Sequence, residues 1–172
     1  MDKFFIIANR QKDKELKTAR KVEEYLNSKG KSCILREETS EQKARSNHYT
    51  DVEKIPKDVE CIIVIGGDGT LLQAARDVVN RQIPLLGINM GTLGYLAEID
   101  RSSIDGALNH LMLDEYTIEK RMMLNGKVYH KEELIAEDVA LNDIVIGRDG
   151  PLHVTRFHNY VNGEFLNSYT AD

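Results

Sequence analysis

The chain has 172 residues, enough for one ordinary domain or one domain plus part of another. Hydrophobic residues make up 41% and charged residues 30%, a globular balance able to build a core, and the formal net charge of -5 is spread without the basic stripe that marks a nucleic-acid partner. The N-terminal apolar run is too short for a signal peptide, and no run approaches the ~18 residues of a membrane span, so the expectation is a cytoplasmic protein with no membrane partner.

Residues 3–8 (KFFIIA) predict a short buried strand. Residues 13–29 predict a polar helix whose Leu16, Ala19, Val22 and Leu26 form one apolar stripe, with Gly30 as a natural stop. Residues 32–35 predict a second strand, and the polar stretch 37–56 has no period and reads as a surface excursion. Residues 61–65 (CIIVI) are continuously apolar and β-branched, the mark of a central parallel strand buried on both faces. GGDGT follows at once, and residues 71–80 predict a helix. Residues 84–88 (PLLGI) predict another buried strand, then comes the loop NMGTLGYL, then a helix over 103–113 capped by Ser102 or Ser103. Strands alternating with helices predict a parallel α/β sheet.

The pattern changes near Asp114. Residues 117–120, 122–124, 127–129, 139–146, 152–160 and 164–168 all predict strands with no long helix between them. Asn125-Gly126 and Asn162-Gly163 predict two-residue hairpin turns, because both residue types tolerate positive φ. The expected architecture is therefore an α/β domain over residues 1–115 followed by an antiparallel β region over 116–172. Cys33 and Cys61 lie in or beside apolar strand-like runs and are expected as buried, reduced thiols. None of His48, His110, His130, His153 and His158 pairs with a cysteine at a zinc spacing, so no metal-ligating residue is assigned.

The chemistry concentrates in Gly66, Gly67, Asp68, Gly69 and Thr70, between a buried strand and a helix. In open parallel sheets ligands bind beyond the carboxyl ends of the strands, where this loop belongs. Glycines let phosphate oxygens approach the backbone, and the amides opening the next helix favour anions. A carboxylate inside a plain phosphate cradle would repel its ligand, so Asp68 makes sense if it meets a hydroxyl, a metal ion or both. The plainer reading is a helix cap in a tight turn. No P-loop signature and no G-x-G-x-x-G occurs in the chain.

GGDGT by itself is shared by several kinases that phosphorylate hydroxyls. Three blocks together are more specific: GGDGTLL at residues 66–72, NMGTLGYL at 89–96 and LNDIVI at 141–146 resemble successive blocks of the NAD kinase family, in order and spacing, over residues 4–172. The resemblance implies phosphoryl transfer from ATP or polyphosphate, with Mg²⁺ or another divalent cation, to the 2′-hydroxyl of the adenosine ribose of NAD. It implies Asp68 as proton acceptor and Gly69 beside the dinucleotide. It further implies Asn142 and Asp143 holding NAD, Tyr95 near the adenine, His153 on the nucleotide and Asp172 near the nicotinamide end. Plainer readings stand beside these: core packing for Tyr95, a strand-end turn for Asn142-Asp143 and a surface strand position for His153.

Two positions depart from the family pattern. Gln73 and Thr170 stand where many members carry a positive charge. The resemblance is still running at Asp172, so the chain is expected to be the family's catalytic half cut short. It is then expected to have little activity alone, and to form a dimer or tetramer when full length. The alternatives are another GGDGT kinase acting on a lipid or sugar hydroxyl, and a non-catalytic nucleotide-binding remnant.

Overall fold

A computed structural model describes residues 1–35, 50–91, 94–97, 99–147 and 154–171. Contacts divide the chain into two compact units, Met1–Met123 and Leu124–Asp172.

The first unit is built on four parallel strands: β1 (Lys3–Ala8), β2 (Ser32–Leu35), β3 (Cys61–Gly66) and β4 (Leu85–Asn89), in the order β2-β1-β3-β4. Ile63 of β3 lies opposite Ile6 of β1 on one side and Leu86 of β4 on the other. All six residues of β3 are buried, as a strand covered on both faces requires. Alternate side chains go to opposite faces. Phe4, Ile6, Ile63 and Ile65 pack with Leu16, Ala19, Val22 and Leu26 around α1 (Lys17–Ser28), and with Ile104, Leu108 and Leu111 of α3 (Ile104–Met112). Phe5, Ile62 and Val64 pack instead with Leu71 and Ala74 of α2 (Asp68–Asp77), and with Ile55 and Val59. The result is three layers, with the helix-strand alternation read from the sequence.

The helix ends differ from the expected bounds for identifiable reasons. Helix α1 opens at Lys17 rather than residue 13, because Glu15 and Leu16 have φ of 57° and 56° and break the helical path. The carboxylate of Asp13, buried at 2% exposure, accepts the amides of Thr18 at 3.0 Å and Ala19 at 2.9 Å and so caps the helix from upstream. Its far end is a Schellman closure: Gly30 has φ 75°, its amide donates to the Asn27 carbonyl, and the Lys31 amide donates to Leu26. Helix α2 opens at Asp68, three residues before the expected start, because extended Gly67 takes the N-cap place and its carbonyl accepts the Thr70 and Leu71 amides. It stops at Asp77, and a separate 3-10 turn follows at Val79–Arg81. The Arg81 guanidinium donates to the carbonyls of Val52, Ile55 and Pro56, holding the approach to β3 against the end of α2. Ser103 does occupy the N-cap place of α3, but neither serine caps with its side chain. The Asp100 carboxylate accepts both serine amides and the Ser102 hydroxyl instead.

The second unit holds two antiparallel hairpins, β5 (Leu124–His130) with β6 (Glu133–Ala140), and β7 (Thr155–Val161) with β8 (Glu164–Ala171). Asn162-Gly163 makes the expected turn, with φ of 52° and 86°. Asn125-Gly126 does not. It lies within β5, opposite Val139 and Asp138, and the β5–β6 turn is made by Lys131 and Glu132 at φ of 48° and 71°. A Cβ on Gly126 would lie 2.6 Å from Cδ1 of Ile144, so this glycine makes room for a neighbouring side chain rather than a turn. The strands expected within 117–123 are absent there, and the strand expected over 139–146 ends at Ala140.

Neither hairpin buries a residue fully. Val128, Tyr129, Ile135, Tyr160, Phe165 and Leu166 stay exposed, so little apolar burial opposes opening of these strands. Limited proteolysis of the 172-residue chain is expected to cut first beyond Met123 and leave Met1–Met123 as the resistant core. Cys33 and Cys61 are free and buried, and burial pushes both thiols up to about 12. A disulfide reagent is expected to leave both unmodified in the native protein and to titrate both once denaturant is added.

Candidate active site

A sheet ordered β2-β1-β3-β4 has its switch point between β1 and β3, because the chain leaves these neighbours in opposite directions. The segments that follow their carboxyl ends therefore flank one crevice. After β3 come Gly66, Gly67, Asp68, Gly69 and Thr70. After β1 come Asn9 to Lys12, tied back by the Asn9 amide, which donates to the Ile65 carbonyl at 2.9 Å. The Asn9 side-chain amide donates to the Thr70 hydroxyl at 3.2 Å, joining the two segments again.

The three glycines have three different reasons. A Cβ on Gly66 would overlap the side chain of Thr70, and one on Gly67 would overlap the Lys12 ammonium. A Cβ on Gly69 would meet no atom within 4 Å among the described residues outside its own helix, so that backbone is open on this side.

Asp68 opens α2 but turns its carboxylate to a third segment. It accepts the backbone amides of Tyr95 at 2.7 Å, Leu96 at 3.2 Å and Ala97 at 3.2 Å. The Tyr95 amide, then the Ala97 and Leu96 amides, with Lys12 adding its charge, hold the carboxyl below the usual carboxylate value of 3.8. Asp68 is thus not the cap of its own helix, whose N-cap place belongs to Gly67. It ties GGDGT to the loop after β4, and it is ionised at neutral pH. The same donors make it a weaker base than an ordinary aspartate. Gly94 is part of this arrangement, because a Cβ there would overlap the Asp68 carboxylate.

Gly66, Gly67, Asp68, Gly69, Thr70 and Tyr95 are therefore brought together around one crevice. Tyr95 is 87% exposed, which sets aside core packing for its ring. Gln73, at the position lacking the expected positive charge, donates from its side chain to Asp77 at 2.8 Å within α2. Asn142 and Asp143 belong to the second unit, exposed in the turn that follows β6. His153 and Asp172 lie outside the described residues. Asn9, Lys12 and Gly94 are the site residues that sequence reading passed over. The signal for the first two was their place just after a central parallel strand.

Residues 4–116, well over half of the chain, match the family model for the ATP-NAD kinase N-terminal domain. The chain belongs to the NAD kinase family. It is 46% identical over 172 residues to an NAD kinase of Lachnospira eligens and 44% identical over 172 residues to one of Agathobacter rectalis, covering all of this chain and 59% of each relative. Among solved structures, a yeast NADH kinase complexed with NADH has a similar fold, with TM-score 0.79 and 22% identity over the whole chain and 56% of that protein. An NAD kinase from Archaeoglobus fulgidus in complex with ATP is more distant, with TM-score 0.61 and 16% identity over 98% of this chain and 57% of that one. The α/β unit and the antiparallel strands thus follow the family's fold.

If the Asp68 carboxylate organises the loop after β4, crowding it should release that loop. Gly94→Ala is expected to speed amide hydrogen exchange at Tyr95, Leu96 and Ala97 by roughly tenfold or more, while the amides of β3 keep their protection. Unchanged exchange at those three amides would show that the loop does not depend on Asp68.

Proposed function

We propose that the protein to which these residues belong transfers the terminal phosphoryl group of ATP, or of polyphosphate, to the 2′-hydroxyl of the adenosine ribose of NAD, giving NADP. The observation that carries the proposal is the cluster of loops at the carboxyl ends of β1, β3 and β4. There a glycine loop, open in front of Gly69, stands beside a carboxylate held ionised by three amides. Membership of the NAD kinase family supports the substrate, as do relatives named NAD kinase. The chain spans about 59% of the length of those relatives, so the activity is proposed for the whole protein.

In the reaction a bond forms from the ribose 2′-oxygen to the γ-phosphorus, and the bond from that phosphorus to the bridging oxygen breaks. ADP leaves with the electron pair. The transition state is loose, with charge spread over the equatorial oxygens, so positioning and charge neutralisation do most of the work. The proton leaves the hydroxyl late, and an acceptor of low basicity suffices. Asp68 fits that part: ionised, fixed in place, and able to orient the 2′-hydroxyl and take its proton. Gly66, Gly67, Gly69 and Thr70 would offer backbone and hydroxyl groups to the phosphates, and Tyr95 an exposed ring to the adenine. Asn142 and Asp143 would hold the ribose hydroxyls, with His153 and Asp172 contributing to the nucleotide. No group of three His, Cys, Asp or Glu residues that could hold a metal occurs among the described residues. The divalent cation is accordingly proposed to arrive on the donor's phosphates as part of the substrate. A homo-oligomer and a cytoplasmic location complete the proposal.

The test is Asp68→Asn in the active enzyme. The side chain keeps its size and one acceptor oxygen but loses its charge. Turnover is expected to fall at least about 100-fold, the low end of the general-base range, with NAD binding retained. Near-normal kcat would remove Asp68 from the mechanism. Phosphorylation of a lipid or sugar with no NADP formed would replace the substrate.

A further inference from the structure

Lys12 stands in the segment after β1, exposed, and its ammonium sits over Gly67: a Cβ on that glycine would overlap Nζ and come within 3.6 Å of Cε. The chain path explains why it is there. The β1 segment is fastened to the β3 side by two hydrogen bonds, Asn9 amide to Ile65 carbonyl and Asn9 side chain to Thr70 hydroxyl. The Lys12 and Asp13 amides both close on the Asn9 carbonyl, at 3.0 and 2.8 Å, and the buried Asp13 carboxylate locks the next turn to α1. The backbone that carries Lys12 is therefore held at three points, although its side chain is not.

The ammonium has no ion-pair partner among the described residues. Asp68, whose carboxylate it helps keep charged, is already occupied by three backbone amides. This lysine, with its ammonium over Gly67 at the mouth of an anion-favouring loop, has no ion-pair partner among the described residues. Gln73, further along α2, is itself bonded to Asp77. The open space before Gly69 lies in the same loop.

We infer that Lys12 is a phosphate-binding residue of this site, meeting the donor's β- and γ-phosphate oxygens and supplying a positive charge from the first strand's loop. The inference rests on the proposed kinase reading. Lysine suits the role as a compact point charge with three donors on a flexible stem, able to follow the phosphoryl group as charge shifts toward the leaving oxygen.

The experiment is calorimetric titration of the 172-residue chain with inorganic tripolyphosphate and with MgATP, for the unaltered protein, Lys12→Met, Lys12→Arg and, as a control for general surface charge, Lys14→Met. Because Lys12 is exposed, Lys12→Met should melt where the parent melts. It is expected to bind both ligands about tenfold more weakly, the loss of a charge-assisted bond, with Lys12→Arg within about threefold of the parent and Lys14→Met unchanged. Equal affinity of Lys12→Met and the parent overturns the assignment, and so does an equal loss in Lys14→Met. A parent chain that binds no tripolyphosphate overturns it as well. NADP formation is measured separately in the active enzyme. Its absence would defeat the NAD kinase reading while leaving the tripolyphosphate result to judge Lys12.

Discussion

The burial of β3 is the constraint from which the rest follows. Six consecutive residues out of water, with Cys61, Ile63 and Ile65 on one face and Ile62 and Val64 on the other, need a helical layer on each side of the sheet. Helical layers on both faces are what right-handed crossovers between parallel strands produce. Parallel strands in turn send all their carboxyl ends to one edge, so the loops after β1, β3 and β4 collect there. The crevice is a consequence of how the core is covered before it is a consequence of any residue in it.

At that edge one carboxylate does two jobs that pull against each other. Three amides hold Asp68 in its charged form and join it to the loop after β4, which gives the crevice a fixed wall. The same three bonds reduce its appetite for a proton. In an acyl transfer or a carbon-acid reaction that would be a poor choice of base. In the phosphoryl transfer proposed above, through a loose transition state, it would cost little, since placement of the hydroxyl matters more than strength of the acceptor. The glycines make the same point from the other side. A side chain at Gly66, Gly67 or Gly94 would meet Thr70, Lys12 or Asp68, while one at Gly69 would meet nothing among the described residues outside its own helix.

The second unit contrasts with this. Its hairpins satisfy their backbone groups within each pair, but their apolar side chains remain largely in water. Phe157 stacks on Tyr169 at 5.2 Å, and Tyr160 meets the edge of Phe165 at 5.6 Å, cross-strand contacts that stabilise a hairpin locally without making a core. A pair of strands in isolation is marginal in water, and the difference in burial between the two units is the reason to expect them to differ in stability.

The sequence by itself determined the elements of the first unit and the chemical class of its loop. The continuous apolar run of β3, the stripe of Leu16, Ala19, Val22 and Leu26, and GGDGT at a strand's end are local patterns, and local patterns carry period, caps and turns. It also marked Asn162-Gly163 as a turn, because positive φ at both residues is a property of those residues alone. Tertiary structure decided the rest. Asn125-Gly126 has the same turn chemistry, yet it pairs with Val139 and Asp138 inside β5, a pairing no window of sequence reveals. The true turn at Lys131-Glu132 uses residues with no preference for that backbone, so pairing across the strands, not propensity, set it. Lys12 was invisible for a similar reason. Its place in the site follows from β1 and β3 being neighbours at a switch point, and strand order is a matter of which surfaces bury which, across some fifty residues of chain.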